Sequence, residues 1–184
     1  MNKPQGYDES EAKTQGEFET ILPGGYVAKI LKAITKLSSK GNEMIELSLD
    51  IAEGDHAGFY ATLSEKLNKD ISLKIYQLTE GESTSYFKGL INAIEHSNPN
   101  FKWNFDEKTL IGKRIGVNLR EEEYRNNEGE VKISLKVGYY CSAEEARAGL
   151  PLMKKKLLAD AKPAQTQTAP VGAGINAVDD PLPF

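Results

Sequence analysis

The chain has 184 residues, 39% of them hydrophobic and 27% charged, and carries a net charge of −4. That suits one domain of ordinary size with appendages. It has no long apolar run, a single cysteine (Cys141) and two histidines, which argues against a membrane-spanning helix, an internal disulfide and a zinc site.

The acidity is uneven. Residues 1–20 hold Lys3 and Lys13 against Asp8, Glu9, Glu11, Glu17 and Glu19, and residues 163–184 hold only Asp179 and Asp180. Residues 21–162 therefore keep 21 Lys/Arg against 20 Asp/Glu. A neutral body can bind phosphates where its bases share one face. The start, Met1 to Gly6, lacks the apolar region of a signal peptide, and the lone cysteine fits a reducing compartment, so a cytoplasmic location is expected.

Residues 1–20 are polar, without periodicity, and read as a disordered acidic segment. Structure is expected to begin at the Leu22-Pro23-Gly24-Gly25 turn, with a first strand from Tyr26 to about Leu37. After the turn Ser38 to Asn42, Ile45, Leu47, Leu49 and Ile51 alternate with polar residues, the period of a half-buried strand. A third strand is expected at Phe59 to Leu63, with Ile71 to Leu78 continuing or following it. Phe87, Leu90, Ile91 and Ile94 then recur at helical spacing, capped by Thr84 or Ser85 and ended by Asn98-Pro99. The final hairpin alternates Ile115, Val117 and Leu119 on one strand and Val131, Ile133, Leu135 and Val137 on the other, around the turn Asn126 to Gly129. A short helix is expected at Ala143 to Ala148 and a helical extension over 151–162.

The organisation is thus a 1–20 segment, a 21–150 domain, the 151–162 extension, a low-complexity flexible linker at 163–178 and a tip at 179–184. The order strand, strand, strand, helix, strand, strand is that of the OB-fold. The fold expected is mainly β: a five-stranded OB-fold barrel with a helix between strands 3 and 4, flanked by disordered terminal segments. In that fold the second and third strands and the loops between strands 1–2 and 4–5 bind oligonucleotides.

The last six residues, Asp179-Asp180-Pro181-Leu182-Pro183-Phe184, put acids and an aromatic ring on a proline-stiffened peptide with no core to enter. Such a peptide reads as bait for a partner's pocket rimmed by Lys or Arg. It resembles the acidic C-terminal tip of bacterial single-stranded DNA-binding proteins, from which it departs by an extra Pro181 and by having only two aspartates. In that family the tip recruits replication and repair enzymes.

The body carries a resemblance of its own. Leu22-Pro23-Gly24-Gly25-Tyr26, Ser39 to Met44, Tyr86 to Ile91, Glu95 to Pro99, Trp103, Asp106-Glu107-Lys108, Ile111-Gly112-Lys113 and Glu121 to Tyr124 follow in this order. This is similar to a family of small phage and prophage proteins encoded near replication and recombination genes. The resemblance implies single-stranded DNA binding in a bacterial host.

Catalytic signals are sparse. Gly112-Lys113 lacks the glycine spacing of a phosphate-binding loop, and no serine sits in a nucleophile elbow. His56 near Asp50, Glu53 and Asp55 reads as a solvated turn rather than a metal-nuclease cluster, and Glu121-Glu122-Glu123 as a solvated strand end. No enzyme activity, cofactor or metal is expected.

Binding residues are better supplied. The outer face of the final hairpin offers Arg114, Arg120, Lys132 and Lys136, with Tyr124 and Tyr140 in the same phase and Arg125 at the turn. The first turn offers Lys36 and Lys40, and the third-strand region Tyr60, Lys66, Lys74 and Tyr76. Cations that track phosphates beside rings that stack on bases suit single-stranded nucleic acid. Trp103, Tyr26 and Phe87 read as core. The expected function is sequence-independent binding of single-stranded DNA, with host or phage partners recruited through the tip and a homo-oligomer as a possible state. The alternative is a recombination accessory that anneals strands or modulates a host repair enzyme.

Overall fold

The computed structural model describes residues 20–158. All of the expected acidic segment 1–20 but Thr20, residues 159–162 of the expected extension, the linker 163–178 and the tip 179–184 lie outside the described residues. Five strands form one antiparallel sheet: β1 (Gly24–Leu37), β2 (Glu43–Ile51), β3 (Leu73–Leu78), β4 (Arg114–Arg125) and β5 (Val131–Cys141). Their order across the sheet is β3-β2-β1-β4-β5. Among the described residues three α-helices accompany them: α1 (Phe59–Leu67), α2 (Thr84–Ser97) and α3 (Ala143–Ala148). None is long and apolar enough to cross a membrane.

The period-two residues of β2 and β4 make the core, whereas on β5 Leu135 and Val137 are only partly buried and Val131 and Ile133 are exposed. Ile45, Leu47, Leu49 and Ile51 from β2 and Ile115, Val117 and Leu119 from β4 are buried together with Leu90, Ile91 and Ile94 of α2. Phe87, Trp103 and Tyr26 pack against this cluster, as expected of them. No hydrogen-bonded ladder joins the outer strands β3 and β5 among the described residues. They approach all the same: the Tyr140 hydroxyl on β5 lies 3.1 Å from Gln77 Oε1 on β3 and 2.8 Å from the Tyr86 carbonyl at the start of α2.

Three expectations need correction. Phe59 to Leu63 is helix, not strand. Asp50 supplies the missing start signal from β2, accepting hydrogen bonds from the amides of Tyr60 (2.9 Å) and Ala61 (3.1 Å) as a helix cap does. Neither Thr84 nor Ser85 caps α2. Ser83 holds the N-cap position without a side-chain bond, while the Thr84 hydroxyl donates to Thr79 O and that of Ser85 to Glu82 O. Asn98 does end α2, and its side chain also clamps β4 by donating to Arg114 O (2.8 Å) and accepting from Arg114 N (3.0 Å).

Thirdly, the described part of the expected helical extension, residues 151–158, is extended. It runs as a strap beside β4, with Lys156 N donating to Glu121 O and Glu123 N to Lys156 O, both at 2.9 Å, in a parallel bridge. The preceding α3 is held by a capping box. Ser142 Oγ accepts from Glu145 N (3.2 Å), and Glu145 Oε2 accepts from Ser142 N (2.8 Å).

Candidate nucleic-acid interface

Cross-strand partners share a face, so register decides which cations meet. On β1 a bulge falls between Ile30 and Lys32. Beyond it Lys32 faces Ser48, Ile34 faces Glu46, and Lys36 faces Met44. On the far side of β2, Tyr76 faces Glu46 and Lys74 faces Ser48. Strands β1 and β3 thus present Lys32, Lys36, Lys74 and Tyr76 on one outer face, with Glu46 and Ser48 of β2 between them.

Glu46 organises this face. Lys36 Nζ lies 2.5 Å from Glu46 Oε2, and Lys74 Nζ lies 3.2 Å from Glu46 Oε1 and 2.7 Å from Ser48 Oγ. Burial pushes the Glu46 carboxyl up, but hydrogen bonds and charge from Lys36 and Lys74 outweigh it and hold it below the ordinary value. Lys36 also sits over the Tyr76 ring, 5.1 Å from its centre. Tyr76 stays 41% exposed and the Lys36 side chain 42% exposed. The face therefore holds an accessible ring fixed beneath a cation, with three lysines set against one carboxylate.

The hairpin face is different. A second bulge lies in the β4–β5 ladder, where Leu119 pairs with Val137 but Asn118 pairs with Tyr139. Gly138 is the extra residue, and it shifts the phase by one. Tyr139 takes the outer face, and Tyr140 turns inward opposite Val117. Burial raises the Tyr140 hydroxyl to about 12, with a smaller contribution from Tyr86. Tyr140 is thus not in phase with Tyr124.

Acids of the same chain engage the cations expected there. Arg120 donates to Glu122 Oε1 through Nε (2.9 Å) and Nη2 (2.6 Å) and is 14% exposed. Lys136 and Lys156 lie 3.7 and 3.8 Å from Glu122 Oε2, and Lys132 lies 2.8 Å from Glu130. Arg114 points to Glu53 at 2.7 Å instead of joining the others. The strap also covers this region: Asn118 Nδ2 donates to Pro151 O (2.9 Å), and Lys155 pairs with Glu123 (2.8 Å). Glu121-Glu122-Glu123 is therefore the strap's docking line rather than a solvated strand end. Tyr124 remains 41% exposed, and Arg125 is exposed beside the turn, its Nη1 donating to Gly129 O at 2.9 Å.

Tyr60 is a correction. The expected platform is 9% exposed within the core, because α1 turns it inward. Desolvation and, secondly, the nearby Asp50 charge push its hydroxyl up to about 12. Lys66 is exposed in the last turn of α1, and Lys40 in the β1–β2 turn. Lys32 escaped the sequence reading. The only trace is the break in alternation along Lys29-Ile30-Leu31-Lys32-Ala33, which marks the bulge.

Two of the acids around His56 have other duties. Asp50 caps α1, and Glu53 receives Arg147 Nε and Nη2, each at 2.8 Å. Among the described residues no group of three or more His, Cys, Asp or Glu side chains is placed to hold a metal ion. No protein-family model matches the chain, and a search of curated proteins finds no match.

Proposed function

We propose that this protein binds single-stranded DNA without sequence preference, as a binding protein rather than an enzyme. The observation that carries the reading is the Lys32, Lys36, Lys74 and Tyr76 face spread over β1, β2 and β3. The strand order supports an OB-type barrel opened between its third and fifth strands, across which Tyr140 reaches. In that fold the second and third strands and the two flanking turns form the binding surface. Here those turns carry Lys40 and Arg125. The strand crosses Tyr76, on which a base stacks, while Lys36 and Lys74 take phosphates and leave Glu46 to do so. Tyr124, Lys132 and Arg125 extend the path along the exposed part of the hairpin. The tip 179–184 recruits replication or repair proteins, and the resemblance to phage and prophage proteins supports a role in phage replication or recombination in a bacterial cytoplasm.

An anisotropy titration with a labelled oligothymidylate and its duplex, over a range of salt, tests this. Single strands should bind more tightly than duplex, with affinity falling as salt rises. Removing both lysines in Lys36→Ala/Lys74→Ala should lower the slope of log K against log salt by about 0.7 per lost phosphate contact. Tyr76→Ala should weaken binding by about 1–3 kcal/mol. An unchanged slope and affinity in a folded double variant would place the path elsewhere.

A further inference from the structure

The loop between α2 and β4 is braced from several sides. Trp103 donates its amide to Glu95 Oε1 (2.9 Å) and its indole Nε1–H to Asp106 O (3.0 Å). Thr109 Oγ1 donates to the same carbonyl at 2.6 Å, and the Asp106 side chain accepts from Lys108 N at 3.0 Å. This bracing holds Phe105 at φ 67°, in the left-handed region that a bulky residue adopts only under strain. Its side chain is 83% exposed, the most exposed large hydrophobic among the described residues. Folding alone is poorly served by either feature.

Phe105 ends a series of rings that starts in the core. Phe87 packs against the core and meets Trp103 edge-on (centroids 5.5 Å apart), and Trp103 meets Phe105 at 4.9 Å and 43°. The loop's far end joins the basic face: Gly112 N donates to Ile30 O (2.8 Å) and Ile30 N to Lys113 O (2.9 Å), two residues before Lys32. The residues flanking Phe105 are polar and exposed: Lys102, 84% exposed although paired with Glu95, then Asn104, Asp106 and Lys108. A rigid, exposed ring with Lys102 and Lys108 three residues away on either side suits a planar base flanked by phosphates.

The geometry points to Phe105 as a base-stacking platform, on which single-stranded nucleic acid leaving the β1–β2–β3 face lays a further nucleobase. The inference rests on the proposed function and extends its site. Trp103 is the chain's only tryptophan, so its emission reports on this ring. The test titrates the full chain with a 20-nucleotide oligothymidylate. Wild type should bind with quenching of Trp103. Phe105→Gly, which accepts the left-handed backbone, should keep or raise Tm while losing affinity about five- to a hundredfold and most of the quench. Phe105→Tyr should behave as wild type. Glycine-variant affinity within about twofold of a binding wild type would overturn the platform alone. A marked fall in its Tm would make Phe105 a structural contact and overturn the platform too. A wild type that binds no single strand would overturn this inference and the proposed function together.

Discussion

Asp50 accepts a hydrogen bond from the backbone amide of Tyr60 at 2.9 Å, tying the end of β2 to the first turn of α1. The same carboxylate, 4% exposed, also takes the amides of Ile51 (2.8 Å) and Ala61 (3.1 Å). Asp50→Ala should therefore destabilise the protein by about 2–4 kcal/mol, since bonds to a buried charged acceptor are lost and their donors stay unmatched. Asp50→Asn keeps one acceptor oxygen and should fall between. Urea denaturation measures this as a lower midpoint at unchanged m. A loss below about 0.5 kcal/mol for the alanine variant would mean that the helix start finds other partners.

Glu53 gives a pH dependence of known sign. Hydrogen bonds from Arg147 act first to lower its carboxyl below the ordinary 4.5; slight desolvation opposes them, and the charges of Arg147 and Arg114 add to the lowering. A carboxyl depressed in the folded state contributes stability that is present above its unfolded pKa and lost as pH falls through its folded pKa. Glu53→Gln should thus lower Tm at neutral pH, and the gap to wild type should close as pH drops below 4.5. The effect is small, because the cluster is open to solvent, and it should shrink with salt. A Tm gap that stays constant with pH would show that the ion pairs contribute nothing.

Two glycines should respond differently to the same substitution. A Cβ on Gly116 would stand 2.3 Å from the Ser142 carbonyl oxygen, which is backbone at the base of α3. Gly116→Ala should cost at least about 1–3 kcal/mol. A Cβ on Gly138 would stand 2.4 Å from Met153 Sδ, the end of a flexible side chain on the strap. Gly138→Ala should cost less and loosen the strap. Hydrogen exchange reads the difference at the amides of Glu123 and Lys156, which should be faster in Gly138→Ala. Equal protection there in that variant and wild type would show that the strap holds without Met153.

The tip motif yields a prediction that does not depend on the fold. Removing residues 179–184 should leave single-strand affinity intact, or slightly tighter at low salt, because the only charge lost is acidic and the proposed ligand is a polyanion. The same deletion should remove replication or repair proteins from those captured by the full chain in bacterial lysate. Identical partner sets from both chains would make the tip inert.

Strands β2, β4 and most of β5 were legible because apolar residues alternate with polar ones, a period of two that persists in the sequence even where the second face is covered, as at Asp50 and Asn118, 4% and 0% exposed. Helix α2 was legible for the matching reason at helical spacing. Helix α1 was misread because its start signal is Asp50, ten residues before Tyr60. The bulges hid what a face contains. Gly138 sent Tyr140 inward, and the shift near Leu31 brought Lys32 beside Ser48. Ion pairing was invisible too: Glu122 gathers Arg120, Lys136 and Lys156 only once three segments have come together.

The strap has a consequence for how the chain meets its own copies. The pairing of β4 with β1 stops at Leu119, so the backbone groups from Glu121 to Glu123 would otherwise stand open along the sheet, a template for any passing strand. Lys156 occupies that position, with Lys154 and Lys155 beside it, so the guard over the open edge is itself charged. A chain cut after Leu150, the domain end expected from sequence, would keep all five strands and lose the guard. Resistance to edge-to-edge aggregation is thus held by residues that look like tail.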